Sequence, residues 1–151
     1  MRAVILDNLR SAHNVGSIIR TVSALEYSAV ALCGVTITPP SDKLKKTSRG
    51  LHESCNWTYY KETEEAVKSF KENGYKVYAL EVNDQSQTIT KIQREEKLAF
   101  VVGNEALGVH DDVLALCDKV YNLPMLNQKE GINVSCAFSS AAYYEYLMFS
   151  N

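Results

Sequence analysis

The 151 residues include four cysteines, at 33, 55, 117 and 136, and no C-x-x-C pair. That spacing suggests neither a zinc site nor a redox dithiol. Lone cysteines among apolar neighbours read as small core residues in a reducing compartment. No run approaches the roughly 18 apolar residues of a membrane span. The amino-terminal MRAVILDNLR meets Asp7 too early for the apolar core of a signal peptide, so a cytoplasmic chain is expected. With three prolines and seven glycines there is no Pro/Gly-rich linker, and no internal repeat or low-complexity tract either. A single domain over 1–151 is the expectation. Clustered metal ligands are missing too, and neither G-x-G-x-x-G nor G-x-x-x-x-G-K-[ST] occurs. No metal, nicotinamide site or triphosphate P-loop is therefore expected.

The chain is 46% hydrophobic and 23% charged, which excludes a disordered or collagen-like polymer. Its net charge of −2 is unevenly placed. Residues 1–50 hold seven Lys/Arg against three Asp/Glu, and residues 51–151 hold nine against fifteen. A local positive field is enough to meet a polyanion. The cluster Lys43–Arg49 is such a field, or else a solvated loop.

Apolar runs at 3–7, 28–34, 75–82, 97–103 and 118–124, with WTYYK at 57–61, have strand character. Helical spacing marks 14–26, where Asn14 suits the N-cap, then 62–73, 111–117 and 132–149. Residues 38–50 read as a loop with at most one helical turn. Strands with two buried faces alternating with helices predict an α/β fold with a mainly parallel sheet flanked by helices. Ligands in such sheets sit at the carboxyl ends of strands.

Three loops after strands carry unusual residues. In N-L-R-S-A-H-N-V-G-S-I-I-R-T, an Asn–Gly helix start would offer free N–H groups to an anion, with Arg20 one turn on. In V-V-G-N-E-A-L-G-V, two glycines flank Glu105 in a tight turn able to show backbone groups to a flat polar ligand such as an adenosine. In L-P-M-L-N-Q-K-E-G-I-N-V-S-C-A, Asn133 and Ser135 open the last helix. Each alone is also what a capped helix, an exposed turn or a capping pair would look like. His13, His52 and His110 read as ordinary surface or hydrogen-bonding histidines.

All three loops in this order resemble the SPOUT superfamily of RNA methyltransferases, in its SpoU branch of ribose 2′-O-methylating enzymes. The matches are N-x-G-x-I-x-R-T at Asn14–Thr21, V-x-G-x-E-x-x-G at Val101–Gly108, and P-M…N-V-S-x-A from Pro124 to Ala137. The resemblance implies a deep carboxyl-terminal trefoil knot, which the knot-free rule for ordinary folds would never suggest. It also implies a homodimer, S-adenosylmethionine as cofactor and tRNA or rRNA as substrate. Only the catalytic domain would be present, without an amino-terminal RNA-binding extension.

Residue by residue, the resemblance puts the cofactor against Gly103, Leu107, Gly108, Leu123, Met125, Ile132 and Ala137. It makes Arg20 the catalytic arginine, with Asn14 and Glu105 shaping the site and orienting it, and Asn133 touching ribose or cofactor. A guanidinium keeps its proton, so gripping the adjacent phosphate and stabilising the developing alkoxide suits arginine better than acting as a base. Arg10, Lys45, Lys46 and Arg49 would contact RNA. Gly131 stands where the family usually has serine, and Asn127 where glycine is common; Ser135 or Lys129 would then take over polar contacts. The departure at Gly131 keeps one rival open, a knotted RNA-binding protein with little catalysis; a second rival is a base methyltransferase of the same superfamily.

Overall fold

The computed structural model describes residues 1–127 and 131–150. Among them, strands β1 (Arg2–Asp7), β2 (Ala29–Cys33), β3 (Trp57–Tyr60), β4 (Lys76–Leu80), β5 (Gln87–Thr88), β6 (Leu98–Gly103) and β7 (Lys119–Asn122) form one sheet. Its order is β3-β2-β1-β6-β4-β7-β5. Every pairing in it is parallel, as the alternation of strand and helix predicts. The helices are α1 (Ala12–Ala24), α2 (Asp42–Ser48), α3 (Thr63–Glu72), α4 (Asp111–Leu116) and α5 (Val134–Phe149).

Successive strand residues point to opposite faces, and here the two faces differ in size. Val4 and Leu6 of β1 and Leu98, Phe100 and Val102 of β6 join a bulky layer with α1 and Phe138 of α5. Ala3, Ile5, Ala99 and Val101 join a thinner layer with Ala66 and Val67 of α3 and Val113 of α4. Phe138 is fully buried and meets Tyr27 and Phe100 edge-on, at centroid distances of 5.7 and 6.5 Å. Burying one such side chain contributes about 1.5–3 kcal/mol.

Two local readings change. Residues 38–50 hold a true helix, α2, whose N-cap Ser41 accepts from the Leu44 N–H while Leu44 is buried. Three lysines in that stretch hide its single apolar anchor. Helix α1 starts two residues before Asn14, because the Ser11 hydroxyl is the cap and accepts from the Asn14 N–H at 3.2 Å. Gly16 therefore lies inside α1, where a Cβ would stand 2.2 Å from Thr47 Oγ1. Its bareness lets α2 close on α1, and the Thr47 hydroxyl donates to the Ala12 carbonyl at 2.9 Å.

The chain lays β1, β2 and β3 outward in one direction, then places β4 on the other side and inserts β6 between β1 and β4. Such a change of direction opens a crevice beyond the strand ends.

Candidate active site

The loop after β6 is folded back on itself. Asn104 and Gly108 form an antiparallel bridge, and the Asn104 side-chain oxygen accepts from the Ala106 and Leu107 N–H groups at 2.9 and 3.0 Å. Its amide donates to the Asn8 carbonyl at 2.7 Å. A Cβ on Gly103 would lie 2.1 Å from the Gly108 carbonyl carbon, so the two backbones touch where a side chain would stand. Gly108 has φ +70°, a conformation that glycine adopts freely. Two carboxylates fix the far end. Glu81 accepts from the Val109 N–H at 2.9 Å, and fully buried Asp7 accepts from the His110 N–H at 3.0 Å and the Thr63 hydroxyl at 2.6 Å.

Direct hydrogen bonds join the three motif loops. Glu105 accepts from the N–H groups of Arg10 (3.0 Å) and Ser11 (2.9 Å) and from the Asn14 amide (3.0 Å). Asn14, nearly buried, accepts in turn from the Asn133 amide at 3.1 Å. Asn133 caps α5, accepting from the N–H groups of Ser135 and Cys136. The N–H groups of Arg10 and Ser11, just before α1, are thus taken by Glu105 of the same chain. Ser135 is buried and donates to Asn133 at 2.7 Å, so it braces that residue.

Partial burial raises the Glu105 pKa, but the hydrogen bonds from Arg10, Asn14 and Ser11 outweigh it and hold the carboxyl below its ordinary value of 4.5. A carboxyl depressed on folding stabilises the protein above the unfolded value, and that contribution is lost as pH falls through the folded one. Below pH 4.5 the wild type should lose stability more steeply than Glu105→Gln, a difference that thermal melts across pH 3–6 would measure. Parallel melting curves would show that the cross-link carries no charge-dependent stability.

A cavity of about 750 Å³ opens beyond the ends of β4, β6 and β7. All seven residues expected at the cofactor line it: Gly103, Leu107, Gly108, Leu123, Met125, Ile132 and Ala137. Glu105, Asn133 and Gly131 line it as well. Its charged lining is acidic, with Glu81, Glu105 and Asp111, and among the described residues no Lys, Arg or His faces it.

Arg20 is not in that lining. It is exposed on α1, and among the described residues it forms neither an ion pair nor a side-chain hydrogen bond, with Asn14 or Glu105 or any other. Its neighbour Thr21 is hydrogen-bonded to Ser139 of α5 at 2.7 Å. Lys45 and Lys46 on α2 and Arg49 at its end are exposed beside α1, and Arg10 is exposed at the turn before it. Lys129 falls in 128–130, outside the described residues. His52 is buried against Ser48, and Cys136 is exposed on α5, not a core residue as expected.

Motif reading passed over Glu81, Asn104 and Asp7, which hold the glycine loop. Asn104 sat inside the second motif; Glu81 and Asp7 are single acids at strand ends with no local pattern to announce them.

Fold and site together define a parallel α/β protein whose cavity is built by glycine turns and strand-end loops. The same architecture is found in an AdoMet-bound rRNA methyltransferase from Sinorhizobium meliloti, at a TM-score of 0.90 and 21% identity over 98% of this chain and 56% of that one. A protein solved in connection with the 2-OH methylation of C/U34 on tRNA aligns at 0.87 and 20% identity, covering 99% of this chain and 97% of that one. A Thermus thermophilus tRNA (guanosine(18)-2′-O)-methyltransferase is 32% identical over 137 residues, which are 89% of this chain and 68% of that protein. The model of the SpoU rRNA Methylase family matches residues 1–143, and the chain belongs to that family.

Proposed function

We propose that this chain is the catalytic domain of an RNA methyltransferase that uses S-adenosylmethionine to methylate a ribose 2′-hydroxyl in tRNA or rRNA. The observation that carries the reading is the Glu105–Asn14–Asn133 hydrogen-bond chain, which ties the three motif loops around one cavity. The cavity fits the cofactor on its own evidence. Its size is that of a nucleoside-ligand pocket, the close packing of Gly103 on Gly108 shapes the loop that lines it, and its acidic lining suits a sulfonium cation. The family likeness supports a carboxyl-terminal trefoil knot around this cavity.

When bound, the cofactor supplies an electrophilic methyl carbon on a cationic sulfur. The chain's part is alignment, which in well-oriented reactions is worth up to about 7–11 kcal/mol. Leu107, Met125, Ile132 and Ala137 exclude water and seat the adenosine, and Asn133 is held in one orientation by Asn14 and Ser135. Arg20 grips the substrate phosphate and stabilises charge developing on the 2′-oxygen.

Arg20 lies outside the cavity of its own chain, which favours a homodimer in which it serves the other copy's cavity. Helix α5 supports this: its one charged residue, Glu145, is buried against Arg2 at 2.6 Å, while Tyr143, Tyr146, Leu147 and Met148 are exposed. An uncharged apolar face of that kind marks a contact surface.

The test is transfer of labelled methyl from S-adenosylmethionine to unmodified tRNA and rRNA pools, followed by nuclease digestion and nucleoside mass spectrometry. Label in 2′-O-methylated nucleosides supports the reading, and label in bases makes the chain a base methyltransferase. RNA binding with no label on any pool would leave a binding protein. RNA contact is assigned to Arg10, Lys45, Lys46 and Arg49, which the fold gathers beside the start of α1. Replacing Lys45, Lys46 and Arg49 together by alanine should weaken RNA binding and flatten its dependence on log salt by about 0.7–0.9 for each phosphate no longer neutralised. An unchanged slope in filter binding at four salt concentrations would remove α2 from the RNA surface.

A further inference from the structure

Glu81 lines the cavity and belongs to none of the three motifs. Its backbone N–H still donates to the Tyr121 carbonyl at 3.0 Å, so the residue is held by the pairing of β4 with β7. Its side chain is fixed as well. Oε1 accepts from the Val82 N–H at 2.8 Å, and Oε2 accepts from the Val109 N–H at 2.9 Å. A carboxylate has about four acceptor sites, so each oxygen keeps one to spend. Gly108 lets the carboxylate pack against the loop backbone, since a Cβ there would stand 2.3 Å from Oε2.

The other two carboxylates among the described residues of the lining differ. Glu105 is occupied by Arg10, Ser11 and Asn14, across the loop from Glu81. Asp111 stands in the exposed first turn of α4. Among the described carboxylates of the lining, Glu81 alone presents two fixed, partly unspent oxygens from a strand end.

We infer that Glu81 binds the vicinal ribose hydroxyls of the adenosyl cofactor, one hydroxyl to each carboxylate oxygen. The inference rests on the cofactor reading above. Two donors on adjacent ring carbons match two acceptors on one carboxylate, and an acidic side chain on a ribose hydroxyl is a recurrent solution in nucleotide sites. The amino-acid tail fits this corner worse, because its own carboxylate would face both Glu81 and Asp111. Glu81 thus has two duties: it braces the glycine loop through Val109, and it reads the sugar.

A cycle of protein substitution against ligand deletion separates the two duties. Calorimetry would compare S-adenosylhomocysteine with its 2′-deoxy and 3′-deoxy forms, on wild type and on Glu81→Gln. Loss of a hydroxyl is expected to weaken binding to wild type by about tenfold to a hundredfold, the scale of a hydrogen bond to a charged group. Glu81→Gln should bind the full ligand correspondingly less well and lose little more when a hydroxyl is removed. If the two losses multiply instead, Glu81 is only a loop brace and the inference is overturned. Equal wild-type affinity for all three ligands overturns it without any variant, which covers a Glu81→Gln protein that does not fold. Failure of wild type to bind intact S-adenosylhomocysteine would instead strike down the cofactor reading, and the inference with it.

Discussion

Arg20→Ala is expected to lower methyl transfer by about 10²–10³-fold, the usual cost of removing one donor aimed at developing negative charge. Melting temperature and cofactor affinity should stay at wild-type values. The separation follows from where the side chain lies. Arg20 is exposed, has no partner among the described residues and is absent from the cavity lining. A surface substitution of this kind moves stability by no more than about 0.5 kcal/mol. Neighbouring hydrogen bonds survive it, since Thr21 keeps its bond to Ser139 and Asn14 keeps its bonds to Glu105 and Asn133. Mixing Arg20→Ala with a variant defective only in the cavity, such as Glu81→Gln, adds a sharper readout. If Arg20 serves the other copy, the mixed dimer should regain one working site and part of the activity. Restored transfer on mixing would place the arginine across the dimer. A simple average of the two weak activities would place it within one chain, and undiminished transfer by Arg20→Ala would remove it from the chemistry.

The parallel sheet was legible because buried strands such as 3–7 and 97–103 are apolar along their whole length, and hydrophobic periodicity reports that directly. The seven positions that the motifs put at the cofactor all fall in the lining of one cavity. What stayed hidden depends on contacts between distant residues. Asn14 is an attractive helix cap in one dimension, yet Ser11 does the capping and releases the Asn14 side chain to bridge Glu105 and Asn133. Nothing local to Asn14 encodes that choice. Helix α2 was obscured because exposed lysines surround its one buried leucine. Asp7, Glu81 and Asn104 escaped notice because each acts through backbone groups, which every sequence has.

Gly103→Ala is expected to reduce affinity for S-adenosylhomocysteine by at least about a hundredfold and to destabilise the fold by about 1–3 kcal/mol, the range for forcing a methyl into a packed site. The added Cβ would stand 2.1 Å from the Gly108 carbonyl carbon and 2.2 Å from the Val109 nitrogen. Both obstacles are backbone, so no side-chain rotation relieves them. Moving them means opening the Asn104–Gly108 bridge and drawing Val109 away from Glu81. Gly103, Leu107 and Gly108 would then leave the positions from which they line the cavity. Gly131→Ala is the matched control, since among the described residues a Cβ there meets nothing within 4 Å although the residue lines the same cavity. It should fold and bind as wild type does, and Gly131→Ser should be equally well accommodated. Urea unfolding and calorimetry on the Gly103 and Gly131 variants would show whether the glycine contact shapes the cavity. Wild-type affinity in Gly103→Ala would mean that the loop yields without cost and that the cofactor does not depend on it.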